Sequence, residues 1–276
     1  MNAWGQELND LIRAFSGAYI FGVPLLFTME MWWIGQYAEP WKLLTFLGVA
    51  FLANLGLTYA AGFKRSSAFR TTVNQAVDAV AVGIVAASVV LLVLNRIKPG
   101  DPLDSVLGKI VIQAVPLSIG ASVANQLFGR HGEKSRQGEA PPDGTLRPWQ
   151  ALFADVGATI IGGIFVGFSI TPTDEIPMLA AEVDLPHLLA IVAFSLAVSY
   201  GIVFASGFDE AIAEGPFQHP LTETALAYAV SLAVAAASLF LLDRIGPEDP
   251  PLTIIESTIV LGLPMTIGGA AGRLVI

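Results

Sequence analysis

The sequence predicts an all-α, polytopic membrane protein with eight transmembrane helices in two parallel four-helix repeats. The first observation is composition, since 54% of the 276 residues are apolar and 13% are charged. The mean hydropathy of +0.66 leaves too little polar surface for a soluble globule. The second is a series of apolar stretches of about 20 residues, the length that crosses a bilayer as a helix. The third is an internal duplication of four such stretches.

The apolar stretches predict spans at 13–35, 41–63, 75–95, 105–128, 149–171, 186–207, 222–243 and 252–274. They lack the in–out alternation of a barrel wall, so strands are excluded as spans. Before the first span, Trp4 stands at helical spacing from Leu8 and Leu11, which is typical of an anchor in the membrane interface. A frayed polar tail is the alternative for this segment.

Two hairpin sequences carry the duplication. The first hairpin (Leu94–Pro102) reads L-N-R-I-K-P-G-D-P, and the second hairpin (Leu242–Pro250) reads L-D-R-I-G-P-E-D-P, 148 residues later. The same offset matches V-P-L-S-I-G with L-P-M-T-I-G in the following spans, so Pro116 pairs with Pro264. We therefore predict a first repeat at 1–128, a polar linker at 129–148 and a second repeat at 149–276.

The earlier spans extend the match less closely. The second and sixth spans match at an offset of 145, with G-L-T-Y-A-A-G-F in the second and G-I-V-F-A-S-G-F in the sixth. A longer loop in the second repeat accounts for the change from this offset to 148. For the first and fifth spans, the best sequence match pairs Gly22 with Gly163 and Phe27 with Phe168. A repeat with an even number of spans inserts its two copies the same way up, with a pseudo-twofold axis along the membrane normal.

Basic residues predict the orientation. Nine of the fourteen Lys and Arg lie on the side with both termini and the 2–3, 4–5 and 6–7 loops. By the positive-inside rule, that side is cytoplasmic. Most of the negative charge falls on the opposite, outer face.

Acidic residues at the outer ends of two spans are ion-path candidates. Glu30 lies late in the first span, and Asp174 and Glu175 follow the fifth. Ionisable groups near a span are costly enough to indicate function, and carboxylates at one mouth concentrate cations or accept protons. The alternative is that these side chains reach the outer headgroups and have no role.

Other charged residues have local explanations. At matched places after the second and sixth spans, Lys64 and Arg65 face Asp209 and Glu210 in the alignment, which suits an inter-repeat salt bridge; solvated charge is the alternative. In the hairpins, the spacing favours the pairs Arg96–Asp101 and Arg244–Asp249. We also expect three acids to lie in the first turns of their helices, where the helix dipole favours negative charge. They are Asp78, Asp155 and Glu223.

Three prolines inside spans are helix-kink candidates. Each of Pro24, Pro116 and Pro264 frees a carbonyl one turn back. Because Pro116 and Pro264 are matched by the duplication, we expect a shared kink in the fourth and eighth helices, with gating as a hypothesis.

The motifs for an enzyme are absent. There is no Walker loop, dinucleotide turn, nucleophile elbow or zinc-protease motif. The chain has no Cys and three scattered His, so we predict no cofactor, no metal site and no enzyme. The net charge of −9 also argues against nucleic acid as a partner.

Two resemblances follow from these segments. The chain resembles a family of bacterial integral membrane proteins of unknown function. The resemblance lies in the two matched four-span units, with F-G-V-P-L-L-F-T-M-E-M-W-W at Phe21–Trp33 in the first and P-T-D-E-I-P-M-L at Pro172–Leu179 in the second. That resemblance covers essentially the whole chain and implies a multi-pass protein of the bacterial inner membrane.

A second segment, R-A-F-S-G at Arg13–Gly17, is similar to the R-x-x-x-F-S-D signature of a potassium channel family. Because the Arg is two residues closer and Gly17 replaces the Asp, no filter residues are carried over.

Three functions remain open from the sequence. The first is a cation channel or cation-coupled transporter for monovalent cations or protons, in which a homodimer would place four units around one axis. The second is a non-transporting scaffold or sensor subunit that binds a protein partner through its outer acidic loops or the linker. An intramembrane enzyme without short motifs is the third.

Overall fold

The computed structural model describes residues 3–62, 69–127, 148–167, 169–205 and 220–274. Every regular element in these ranges is helical, which confirms the all-α prediction. The chain divides into two units, Met1–Arg130 and His131–Ile276. This boundary falls inside the predicted linker, of which only Pro148 is among the described residues, and the limits of the two repeats stay a prediction.

The first unit contains five helices in its described part, in the order long, short, long, long, long. They are α1 (Ala3–Leu26), α2 (Met29–Tyr37), α3 (Pro40–Gly62), α4 (Phe69–Val93) and α5 (Leu103–Leu127). The central helix is α5, which contacts all four others.

The second unit repeats that order within its described residues. Its helices are α6 (Pro148–Gly167), α7 (Glu175–Glu182), α8 (Leu185–Tyr200), α9 (Pro220–Leu241) and α10 (Pro251–Arg273). A π-helical turn at Gly201–Ala205 extends α8. Here α10 contacts the other four helices, as α5 does in the first unit.

Six described helices are long and apolar enough to cross a membrane. These candidate spans are Pro40–Thr58, Arg70–Val93, Leu103–Ala124, Leu185–Phe204, Pro220–Leu241 and Pro251–Arg273. A seventh is obtained if the bent pair α1–α2 counts as one span. The apolar part of α6, Asp155–Gly167, is shorter, so several spans are confirmed but eight are not.

The first predicted span, 13–35, is not one helix. The chain turns by 90° between α1 and α2, and three side chains satisfy the carbonyls that the interruption frees. The Thr28 hydroxyl donates to Pro24 O (3.0 Å), Gln113 Nε2 donates to Leu25 O (3.2 Å), and Trp32 Nε1 donates to Leu26 O (3.0 Å). A break in an apolar helix is stable only where such donors replace the lost helical bonds.

The three predicted kink prolines lie in different settings. Pro24 is two residues before the end of α1, next to the break. Helices α5 and α10 continue through Pro116 and Pro264, so the shared kink and its role in gating stay predictions.

Glycines bring α1 against α5 and α6 against α10. A Cβ on Gly17 would lie 2.8 Å from Gly120 O, and a Cβ on Gly120 would lie 2.7 Å from Gly17 O. In the second unit, a Cβ on Gly162 would contact Gly268 O and Gly272 Cα. Hydrophobic force does not draw helices together in lipid, so close approach at small residues holds each pair.

Further glycine contacts bear on the sequence match of the first and fifth spans. Gly22 packs on Leu117, and Gly167 packs on Met265. Leu117 and Met265 are 148 residues apart, but a Cβ on Gly163 would also contact Met265, 3.2 Å from its carbonyl oxygen, so both Gly163 and Gly167 fit as the counterpart of Gly22. The contacts of Gly17 with Gly120 and of Gly162 with Gly268 fit an offset of 145 between α1 and α6, which is the offset found between α3 and α8. Phe168 lies outside the described residues, so its pairing with Phe27 stays a prediction.

Two of the predicted capping acids are too far from their helix starts to act as caps. Asp78 is exposed and lies nine residues after Phe69, and Asp155 lies seven residues after Pro148. Only Glu223 is in a first turn. Both helices begin earlier than the apolar pattern indicated, because their first turns are built from polar and aromatic residues.

Candidate functional site at the helix breaks

Each unit has a point where a long helix ends and a short one follows. We call Phe27–Thr28 the first break and Ser169–Asp174 the second break. The ion-path candidates lie here: Glu30 is the second residue of α2, Asp174 precedes α7 and Glu175 begins it. The structure thus places each predicted acid at the equivalent point of its own unit.

In the second break, hydrogen bonds within the chain satisfy the carbonyl groups of Gly167 and Ile170. Gly167 O accepts from Ile170 N (2.9 Å) and from the Thr171 N–H (2.8 Å) and hydroxyl (2.7 Å). Ile170 O accepts from the Thr173 hydroxyl at 2.6 Å. Short hydroxyl side chains therefore supply the donors, as Thr28 does in the first break.

Arg244 ties the second hairpin to the second break. Its Nη2 donates to Asp174 Oδ1 at 2.5 Å and to Thr173 O at 2.8 Å. The Asp174 side chain keeps 87% of its surface exposed, whereas Glu175 is only 8% exposed. One acid of the predicted pair is thus open to solvent and balanced by an arginine, while its neighbour is buried.

The first break has a basic neighbourhood. The Arg96 guanidinium lies 4.6 Å from the centroid of the Trp32 ring, on α2. Lys109, on α5, is buried, and its Nζ donates to Arg96 O at 2.9 Å and reaches Asp101 Oδ2 at 3.5 Å. Glu30 is exposed on α2. The two breaks therefore differ in charge although their backbone order is the same.

The two hairpins share their backbone hydrogen bonds. Arg96 N donates to Leu91 O and Arg244 N to Leu239 O, both at 2.8 Å. Asn95 and Asp243 share a φ of 55°, a left-handed conformation that Asn and Asp tolerate better than most residues. In both hairpins the aspartate, Asp101 or Asp249, accepts from the backbone N–H three residues earlier, at 3.1 Å and 2.7 Å.

The structure shows a partner for Arg244 other than the predicted Asp249, while the pair Arg96–Asp101 stays a prediction. Asp101 engages Lys109 and the backbone N–H of Lys98, while Arg244 engages Asp174. Because each aspartate caps its own turn, the arginine of the second hairpin reaches another element instead. The sequence signal for this was the arginine just after a helix end, but its partner on another element could not be read from spacing.

The inter-repeat salt bridge predicted from Lys64, Arg65, Asp209 and Glu210 lies outside the described residues. The same holds for the linker except Pro148.

A second charged cluster, at the far end of α10 from the second hairpin, was missed by the sequence reasoning. Arg273 has 5% of its side chain exposed and forms an ion pair with Glu223 of α9. Its Nε lies 3.8 Å from Asp155 Oδ1 of α6, and its guanidinium lies 5.8 Å from the centroid of the Phe204 ring. The available signal was an arginine in the last turn of a span, together with an acid in the first turn of α9 and another two turns into α6.

Exposed acids beside the short helices have lowered pKa values. A hydrogen bond from the His187 side chain, followed by one from its backbone N–H, lowers the pKa of Asp184, which caps α8. A hydrogen bond from the Trp41 indole, with the charge of Lys42, lowers the pKa of Glu39. Both carboxylates therefore stay ionised at the ends of α7 and α2, adding fixed negative charge beside the breaks.

Within the described residues, no three His, Asp or Glu side chains lie close enough to hold a metal ion. The arrangement at the breaks instead offers single carboxylates, carbonyl oxygens and an arginine. Carboxylates and carbonyl oxygens can attract monovalent cations, and carboxylates can also exchange protons, while the arginine competes for the carboxylate.

Comparison with known proteins gives one match. Residues 10–276 match the model of a family described as "Putative integral membrane protein (DUF2391)". No curated protein and no solved structure matched the chain.

Proposed function

Because the chain belongs to the DUF2391 family of integral membrane proteins, which its match over residues 10–276 establishes, we propose that it transports a monovalent cation or a proton. The single observation that carries the proposal is the point in each unit where a long helix ends beside an acid and a short helix follows. Irregular backbone at membrane depth is tolerated where it is buried in protein or lines a polar path. Discontinuous helices also form the ion sites of many transporters.

The acids at the breaks support a cation as the transported species. Glu30 and Asp174 are both exposed, and Asp184 and Glu39 add negative charge with lowered pKa values. Asp174 is balanced by Arg244 at 2.5 Å. A cation that binds Asp174 must compete with the guanidinium for the carboxylate, so Arg244 would set the affinity of the site.

The matched architecture supports two copies of one ancestral unit. The hairpins share their hydrogen bonds at an offset of 148, and the glycine contacts of α1 and α6 share an offset of 145.

On this proposal α1 and α6 cross the membrane with the six candidate spans, giving eight crossings. The breaks then lie at the outer end of the apolar layer, and the short helices α2 and α7 follow in the headgroup region, which suits exposed Trp33 and Tyr37 on α2.

The proposal is tested in proteoliposomes with dyes for protons, Na⁺ and K⁺. Asp174→Asn removes the carboxylate and leaves Arg244 uncompensated, so we expect flux to fall by about fivefold or more, which corresponds to roughly 1 kcal/mol of lost attraction. Arg244→Gln removes the guanidinium that competes for Asp174. We therefore expect this variant to bind the cation more tightly, so that half-maximal flux is reached at a lower cation concentration.

The matched control is Glu248→Gln. It removes the same charge from an exposed position of the second hairpin, so a flux close to that of the unaltered protein is expected. If the unaltered protein carries no more flux than protein-free vesicles for any of the three ions, transport is rejected. The non-transporting scaffold would then be favoured.

A further inference from the structure

The Arg273 cluster, which consists of Asp155, Glu223 and Arg273, ties helix ends together in the second unit. Arg273 is in the last turn of α10, and its side chain is 5% exposed. Its guanidinium pairs with Glu223 of α9, lies near Asp155 of α6 at 3.8 Å, and stands 5.8 Å from the ring centroid of Phe204 after α8. One side chain thus reaches the other three long helices that the structure describes in this unit.

The contact with Phe204 falls on an irregular part of the chain. Phe204 lies in the π-helical turn at Gly201–Ala205, and its ring packs on that of Tyr200 with 5.5 Å between the centroids. Single π turns that interrupt or extend a helix are rare, and they are frequent at functional sites. The irregular turn and the charged cluster are therefore in direct contact.

The first unit has neither feature at the matched positions. At the offset of 145, residues 56–60 take the place of the π turn and belong to the regular helix α3. At the offset of 148, Gln75 and Asn125 stand where Glu223 and Arg273 stand in the second unit. Two neutral amides thus replace the ion pair, so the shared order of helices does not require either the cluster or the π turn.

The charges of the cluster can be satisfied in two ways. A buried guanidinium is stable only beside its counter charges, and here those charges belong to two other helices. The pairing therefore holds only while the ends of α6, α9 and α10 stay together. When the ends separate, water solvates the same groups and offsets part of the lost attraction.

We propose that the Arg273 end of the second unit is a gate for the transported cation or proton. The gate is closed while Arg273 pairs with Glu223 and Asp155, and it opens when α6 and α9 move apart, with the π turn as the hinge. This inference rests on the proposed function. Arg273 lies about 33 Å from Pro251 along α10, so the gate stands at the opposite end of the unit from the second hairpin and the second break.

Thiol reactivity tests whether the ion pairs control access to this end. The chain has no Cys, so Thr224→Cys, beside Glu223 and 4% exposed, serves as the reporter. Glu223→Gln replaces a bond between two charged groups with a weaker one. We expect it to speed the reaction of Thr224→Cys with a water-soluble methanethiosulfonate roughly tenfold. Arg273→Gln should have the same effect, and it provides a second variant if Glu223→Gln does not fold.

The matched control reporter is Ser257→Cys. Ser257 is also a buried hydroxyl residue, 3% exposed, but it lies near the other end of α10. Its reaction rate should not change, because the opening is confined to the Arg273 end. Equal acceleration at both positions would mean general loosening of the unit, and no acceleration at Thr224→Cys would mean that the ion pairs do not limit access. Either result would overturn the inference.

The separation of the helix ends is measured with spin labels. Phe153→Cys on α6 and Ala225→Cys on α9 are exposed positions for the labels, and double electron–electron resonance in nanodiscs gives the distance between them. We expect a main distance and a second, longer one, whose share rises in Glu223→Gln without a change in its value. A single distance in both proteins would overturn the inference.

Neither measurement depends on transport. A single distance in a protein that carries cation flux removes the gate and leaves transport intact. Two distances in a protein without flux support the opening of this end and reject transport.

Discussion

Asn54 illustrates how single polar side chains hold helices together in the first unit. Its Nδ2 donates to Ala50 O (2.8 Å) in its own helix and to Ser118 Oγ (3.0 Å) in α5. Its Oδ1 accepts from Ser122 Oγ at 2.6 Å. Asn54 is fully buried and both ends of its amide are engaged, so the network specifies one packing of α3 on α5.

We predict that Asn54→Ala loosens α3 from α5. The variant loses two bonds between helices, worth about 1 kcal/mol in a membrane protein, which corresponds to about 2–4 °C in the Tm measured in detergent. The control is Thr45→Ala on the same helix, because the Thr45 hydroxyl bonds to Trp41 O within α3. Equal Tm values for the two variants would contradict a role for the network.

Arg244 shows what sequence reasoning captured at the level of residues and what it missed. The sequence identified the arginine after a helix end and the acid Asp174, because both stand at the end of an apolar run. It assigned the arginine to Asp249 because the two are close in sequence. Asp249 instead caps the N–H of Gly246, and the partner of Arg244 lies 70 residues away.

At the scale of elements, the short helix α2 is held against α5 by a contact between two glycines. A Cβ on Gly35 would lie 2.6 Å from Lys109 Cα, and a Cβ on Gly108 would contact the Gly35 carbonyl oxygen. Beside this contact, Arg96 lies on the Trp32 ring. The orientation of α2 after the first break therefore depends on close backbone approach as well as on the arginine.

We predict that Gly108→Ala displaces α2 from α5. The added methyl has no room, and overpacking of this kind costs roughly 1–3 kcal/mol. Trp32, now 1% exposed, should become accessible to acrylamide. Its fluorescence is measured with the other four tryptophans of the chain replaced by phenylalanine.

Gly48→Ala on α3 is the control for this prediction. A Cβ on Gly48 would meet no atom within 4 Å, so the added methyl should leave Trp32 protected. If Gly108→Ala leaves Trp32 as protected as Gly48→Ala does, the glycine contact does not position α2.

The apolar pattern predicted the long helices better than the breaks. Six predicted spans correspond to candidate spans in the structure, because continuous apolar runs are the main signal for such helices. The run through Leu26 to Trp33 is apolar on both sides of the first break, so hydropathy alone cannot show where α1 ends. The end of α1 depends on Thr28, Trp32 and the distant Gln113, whose side chains donate hydrogen bonds to the freed carbonyls.

At the scale of the whole molecule, the repeated order of helices has a consequence for topology. If each unit crosses the membrane four times, the two hairpins lie on the same side, because an even number of crossings separates matched positions. A unit with an odd number of crossings would place the hairpins on opposite sides. The side of the hairpins therefore distinguishes parallel from inverted copies.

We predict that Pro99→Cys and Pro247→Cys, made singly in the cysteine-free chain, react with a membrane-impermeant maleimide from outside intact cells. The two positions are exposed and matched at the offset of 148. Ser135→Cys in the linker should react only after the membrane is permeabilised, because basic residues near it favour the cytoplasmic side. Labelling of only one hairpin in intact cells would show that the copies are inverted, and the eight-span arrangement with its equivalent breaks would then be wrong.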